Sequence, residues 1–159
     1  MSRSRVVMLS SLLAAALGVA VVAAARTAVA PTKVFEISSI AAVQNGASVP
    51  SVFTTAKAWR VTEIWTYHWN DARGVAPGTI GLKSLTTGKL YGPWKAIGSP
   101  GQGGVPNAYW HVSLTAKVVL PAGRYRFVDS SPGTWSQNAE TGHRGMGWVM
   151  AIPATASGC

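Results

Sequence analysis

From residue 31 onward, apolar and polar residues alternate in short runs rich in β-branched and aromatic side chains, with clusters of Gly, Pro, Asn and Ser between the runs. No segment carries the sustained three-to-four-residue stripe of an amphipathic helix. The pattern predicts strands at 34–43, 58–70, 79–85, 90–97, 109–120 with a break allowed, 124–130 and 145–152. Short strands separated by frequent turn signals predict an all-β fold, a single antiparallel β-sandwich of about seven or eight strands over residues 31–153.

The joints refine this picture. Thr86-Thr87-Gly88 ends in a residue that tolerates positive φ, which predicts a hairpin between the 79–85 and 90–97 strands. Pro121-Ala122-Gly123 predicts a second hairpin, because proline presets φ and glycine relieves the turn. Two long stretches of turn formers, 98–107 and 130–144, are loops of a length that a compact domain keeps for function. They are expected at one end of the sheets.

The start of the chain is different. Arg3 and Arg5 precede an apolar run over 6–25, and small residues follow to Ala28-Val29-Ala30, the three parts of a secretory signal peptide over residues 1–30 cleaved after Ala30. An apolar run of this length also approaches the ~20 residues that span a bilayer, so an uncleaved N-terminal anchor is the alternative. Net charge changes accordingly. The whole chain has 14 basic and 5 acidic residues, +9; the leader holds Arg3, Arg5 and Arg26 and no acid, leaving 11 − 5 = +6. A secreted protein, extracellular or periplasmic, is expected, with a flexible tail over 154–159. The single Cys159 in that tail leaves no internal disulfide framework and no cysteine zinc cluster.

Five strings are distinctive together: Tyr67-His68-Trp69-Asn70, 77–82 (PGTIGL), 91–94 (YGPW), 101–107 (GQGGVPN) and Asp129-Ser130-Ser131-Pro132-Gly133-Thr134-Trp135-Ser136-Gln137-Asn138. With them the chain resembles a family of small secreted bacterial β-rich domains of uncharacterised function, over roughly residues 52–149. The resemblance implies export and a β fold. It brings no catalytic residue with it, so function rests on site chemistry.

Alternation along 59–70 puts Trp59, Val61, Glu63, Trp65, Tyr67 and Trp69 on one face and Arg60, Thr62, Ile64, Thr66, His68 and Asn70 on the other. Rings on one face of a strand ordinarily fill a sandwich core. Tryptophans near strand ends or in loops offer a different use: Trp69, Trp94, Trp110 and Trp135 are candidates for a platform on which the C–H face of a sugar lies. Asn70, Asn107, Asp129 and Asn138 are the candidate partners for its hydroxyls. The same Asn and Asp residues also suit turn bracing through their own backbone.

Other chemistries find less support. His68, His111 and His143 are far apart in sequence and lack the close pairings of a metal motif, so metal binding is a minor alternative. No cofactor is expected. Among five carboxylates, Glu63 and Asp129 are the one pair worth testing for glycoside hydrolysis, and no nucleophile elbow is present. The basic residues are scattered singly, which argues against nucleic acid and toward a glycan or anionic envelope polymer as partner. Contact with membrane is expected only through an uncleaved leader. The reading is thus a non-catalytic secreted module for a polar extracellular ligand, most naturally carbohydrate, with a structural or interaction domain of the cell envelope as the alternative.

Overall fold

A computed structural model describes residues 29–154. The predicted leader, apart from its last two residues, and the tail beyond Ala154 with Cys159 lie outside the described residues. Nine strands among the described residues form two antiparallel sheets: β1 Thr32–Ile37, β2 Val52–Thr55, β3 Trp59–Tyr67, β4 Thr79–Ser84, β5 Leu90–Lys95, β6 Ile97–Ser99, β7 Tyr109–Leu120, β8 Gly123–Asp129 and β9 Gly147–Pro153. The five-stranded sheet runs β1-β9-β3-β7-β6 and the four-stranded sheet β2-β8-β4-β5. This is the β-sandwich. No helix among the described residues is long and apolar enough to cross a membrane.

The inner faces of the sheets meet in a core that includes Phe53, Val61, Ile64, Ile80, Leu82, Trp110, Tyr125, Phe127, Trp135 and Val149. Phe53 stands at its aromatic centre, with ring centroids 4.8 Å from Phe35, 5.5 Å from Tyr125 and 6.0 Å from Phe127. These rings come from β1 and β2 as well as β8, so their contacts tie the two sheets together as they bury apolar area.

The expected hairpin between β4 and β5 forms. Its turn closes through Ser84 N–H to Lys89 O and Gly88 N–H to Ser84 O, with Gly88 at φ +76°. The second expected hairpin does not. β7 pairs with β3 and β6, whereas β8 pairs with β2 and β4, so Pro121 to Gly123 carries the chain from one sheet to the other. Tyr125 pins this crossing by donating its hydroxyl to Pro121 O at 2.7 Å, with Thr55 Oγ1 donating to the same carbonyl at 3.2 Å. A buried tyrosine reaching back to the backbone at a sheet corner is a recurring device of sandwich folds.

Three strand limits also differ from expectation. The strand predicted over 34–43 ends at Ile37, and the chain then leaves the sheet. The run predicted over 90–97 is two strands, because the backbone changes sheets at buried Ala96, whose N–H bonds Gly78 O. Val52–Thr55 pairs with β8 although its four residues give too short a pattern to detect.

Burial pushes the Tyr125 phenol up to about 12, with neighbouring Tyr91 adding to it. A folded-state value above the unfolded one means that the neutral phenol stabilises the fold fully below about pH 10 and that this contribution fades as pH rises from about 10 to 12. Urea unfolding at pH 9 and pH 11.5 should therefore show an alkaline loss of stability that is shallower in Tyr125→Phe. An equally steep loss in the variant would assign it to other groups.

Candidate functional site

The site begins with a fault in the alternation of β3. Between Val61 and Glu63 the register shifts against both neighbours: β9 partners run from Ala151 to Met150, and β7 partners jump from Val118 to Ser113. Against β9 Thr62 is the extra residue, and its hydroxyl is buried without a partner; against β7 the excess lies on β7, between Ser113 and Val118. Val61 therefore points inward before the bulge, and Ile64, Thr66 and His68 point inward after it, all fully buried. Trp65 and Tyr67 are turned to the outer face of the five-stranded sheet. The expectation that the aromatic face of this strand fills the sandwich core is corrected for Trp65 and Tyr67: these rings lie outside it, because the bulge after Val61 reverses the strand's parity.

Register then assembles an aromatic row across that outer face. Trp65 is directly opposite Trp148 on β9 and His111 on β7, while Glu36 of β1 opposes Trp148 and Ile97 of β6 opposes His111. The indoles of Trp65 and Trp148 stack at 5.1 Å, and Trp65 and the His111 ring stack at 4.3 Å. Tyr109 meets both indoles edge-on and lies 4.7 Å from Tyr67, which leads on to Trp69 at 6.5 Å. Trp65 Nε1 donates to Glu63 Oε2 at 2.9 Å, and Lys33 Nζ lies 5.4 Å above the Trp148 ring. Trp65, Trp69, Tyr109, His111 and Trp148 are all only partly buried.

Over the Tyr67 end of this floor, two loops fold down and make a small second core of Tyr67, Val105, Ala108 and Met146, with Val43, Trp69 and Tyr109 at its margin. Between the 38–43 segment and the sheet a cleft of about 740 Å³ remains open, floored by Tyr109, Trp69 and Trp148 and edged by Glu36, Ser39, Gln102 and Glu140. Lys33 Nζ donates to Glu36 Oε1 at 2.7 Å and Ser38 Oγ donates at 3.1 Å, and these bonds hold the Glu36 carboxyl below its ordinary value. Glu36 thus presents an anionic acceptor. Glu140 accepts from the Ser39 hydroxyl. Burial raises the Tyr67 phenol, Tyr109 adds to the effect, and a backbone hydrogen bond from Gln102 opposes it.

The eight residues singled out from the sequence are not brought together. Trp69 lines the cleft. Asn138 stands behind its wall, buried, with Nδ2 donating to Ser39 Oγ at 2.8 Å and Ala42 O at 3.3 Å. Trp94 is half-buried on the four-stranded sheet and packs on the core. Trp110 and Trp135 lie inside the sandwich, with their Nε1 groups donating to Val75 O and Met146 O. Asn70 and Asn107 adopt positive φ in turns, and Asn70 Nδ2 donates to Gly74 O at 2.8 Å. The indoles of Trp110 and Trp135 offer no open face to a ligand.

Asp129 belongs to a buried polar knot. Its Oδ2 lies 3.1 Å from His68 Nε2, both side chains wholly excluded from solvent, and its Oδ1 accepts from Ser131 N at 2.7 Å. Thr66 Oγ1 is 3.1 Å from the same imidazole nitrogen, Thr134 Oγ1 is 3.0 Å from Nδ1, and the ring stacks on Trp110 at 3.9 Å. Thr134 Oγ1 also donates to Ser131 O at 3.2 Å, so the knot continues into the backbone of the following turn. Glu63, by contrast, faces outward across the sheet and bonds Trp65. The Glu63 and Asp129 pair therefore cannot flank one glycosidic bond. The histidines are equally separated, one in this knot, one in the aromatic row and His143 in an exposed loop bonded to Gln137. Among the described residues no three His, Cys, Asp or Glu side chains gather as a metal site.

Of the floor's rings only Trp69 is among the eight; Trp65, Tyr67, Tyr109, His111 and Trp148 are not. The available signal is the aromatic face of 59–70; the bulge that turns it outward has no mark in the sequence. No protein-family model, curated protein or solved structure matches this chain.

Proposed function

We propose that the protein is an exported, non-catalytic binding module whose outer aromatic floor and adjoining cleft take a carbohydrate. The observation that carries this reading is the juxtaposition of two indoles, Trp69 and Trp148, with Tyr109 in an open cleft whose rim holds carboxylates, hydroxyls and an amide. A pyranose has an apolar C–H face suited to an indole and equatorial hydroxyls suited to Glu36, Ser39, Gln102 and Glu140. The row through Trp65 and His111 continues the same surface beyond the cleft, which gives a chain of several sugar units more than one ring to lie on. The likeness to small secreted bacterial β-rich domains and the signal-peptide pattern belong to the same proposal.

A glycan array followed by titration of intrinsic tryptophan fluorescence tests it. Trp148→Ala should weaken binding of the glycan found by about tenfold, the worth of one ring face no longer buried, while Trp94→Ala on the other sheet leaves affinity unchanged. No glycan bound at millimolar concentration, or equal loss in both variants, overturns the reading.

The structural alternative is favoured by a different observation. The motif residues His68, Asp129, Trp135 and Asn138 have buried side chains hydrogen-bonded to one another, to neighbouring side chains or to the backbone, so the 67–70 and 129–138 motifs brace the sandwich. Bracing accounts for these two motifs and leaves the outer floor unexplained.

A further inference from the structure

We propose that the outer face of the four-stranded sheet docks on an anionic lipid bilayer. Lys83, Arg124 and Arg126 share this face, since Lys83 and Arg126 are in direct register across β4 and β8 and Arg124 is two residues from Arg126. Lys95, opposite Thr79, adds a fourth cation. None of the four has an ion-pair partner among the described residues. Acidic groups are elsewhere: Glu36 and Glu63 on the far sheet, Asp71 and Glu140 in loops, Asp129 buried. Like charges placed directly opposite one another destabilise a sheet, so the Lys83 and Arg126 pairing is a local cost that an anionic partner relieves.

Leucines select the kind of partner. Leu90 is in register with Lys83, and Leu85 stands two residues beyond it with its N–H bonded to Arg124 O; they are 46% and 42% exposed. Cations and leucines thus alternate on one surface. Lipid phosphates take the former and the acyl boundary the latter, whereas a soluble polyanion has use only for the charges. The neighbouring rings Tyr91 and Trp94 pack against the core, which leaves no platform here for stacking nucleic-acid bases.

The test is partition of the full chain onto vesicles of phosphatidylcholine alone or with about 30% phosphatidylglycerol, so that any contribution of the leader is common to all variants. Preference for the anionic vesicles is expected, and Arg124→Gln with Arg126→Gln should lower the partition coefficient about 30-fold. Leu85→Ser with Leu90→Ser should lower it as well while leaving retention on a soluble polyuronate unchanged. Equal binding to both vesicles overturns the proposal. So does a leucine variant that binds vesicles like the parent, because the face is then a polyanion site for polysaccharide or nucleic acid. Trp148→Ala, which lies on the other sheet, should leave partition intact, so this proposal and the carbohydrate reading fail independently.

Discussion

Asp129→Ala is expected to lower the free energy of unfolding by about 3–5 kcal/mol, since it leaves two donors of the buried knot unsatisfied at about 1–3 kcal/mol each and removes packed volume beside them. The loss has three sources. His68 Nε2 loses its acceptor inside the core, Ser131 N–H loses its own, and the space vacated beside His68 cannot be hydrated without opening the knot. Asp129→Asn keeps the size and an acceptor for one of the two donors, so it should cost clearly less. For a domain of this size the alanine variant should melt roughly 10–20 °C lower. Urea unfolding of the three proteins at pH 7 provides the measurement, and a loss in Asp129→Ala of under about 1 kcal/mol would show the knot to be an ornament of the core rather than its brace.

A second large effect is expected where Trp135 and Gly145 meet. The indole of Trp135 is buried against Phe127 and donates to Met146 O at 2.7 Å, and a Cβ on Gly145 would lie 2.2 Å from the indole's ring atoms. Trp135→Ala should cost about 3–5 kcal/mol through the cavity it leaves. Gly145→Ala should cost about 1–3 kcal/mol, because a rigid buried ring must move to admit one methyl group. In the double variant the clash has no target, so the alanine at 145 should then be nearly neutral. Additive costs in that cycle would mean that position 145 needs glycine for some reason other than the indole.

Much of the fold is legible in the sequence because it rests on local signals. The strands β3, β4, β7, β8 and β9 coincide closely with apolar runs, and Thr86-Thr87-Gly88 specifies its hairpin through one positive-φ position. The Pro121 to Gly123 connection misleads because a tight turn and a tight sheet crossing use the same residues; only the partner strands distinguish them. The candidate site is less legible. Tryptophans near strand ends or in loops attract attention in a sequence, yet Trp110 and Trp135 each find a backbone acceptor and go inside. The open rings of the row are strand residues from β3, β7 and β9, brought together by register, and register is a long-range property that one chain segment does not display.

The Thr62 bulge also bears on how this chain can change length. Against β9, Thr62 and Glu63 together oppose Met150, so a chain lacking Thr62 would pair with β9 as a plain strand, with Val61 and Ile64 still inward and Trp65 still outward, while β7 keeps its own excess of residues between Ser113 and Val118. Loss of Ile64, Trp65 or Thr66 has no such remedy: closing the gap from either side sends an outward ring into the core or an inward residue out to solvent. The strand therefore holds one spare residue, and it lies at a fixed place. Relatives of this sequence that differ in length within β3 are expected to do so at Thr62, whereas the exposed Gln102–Gly104 turn can shorten without turning any strand residue over.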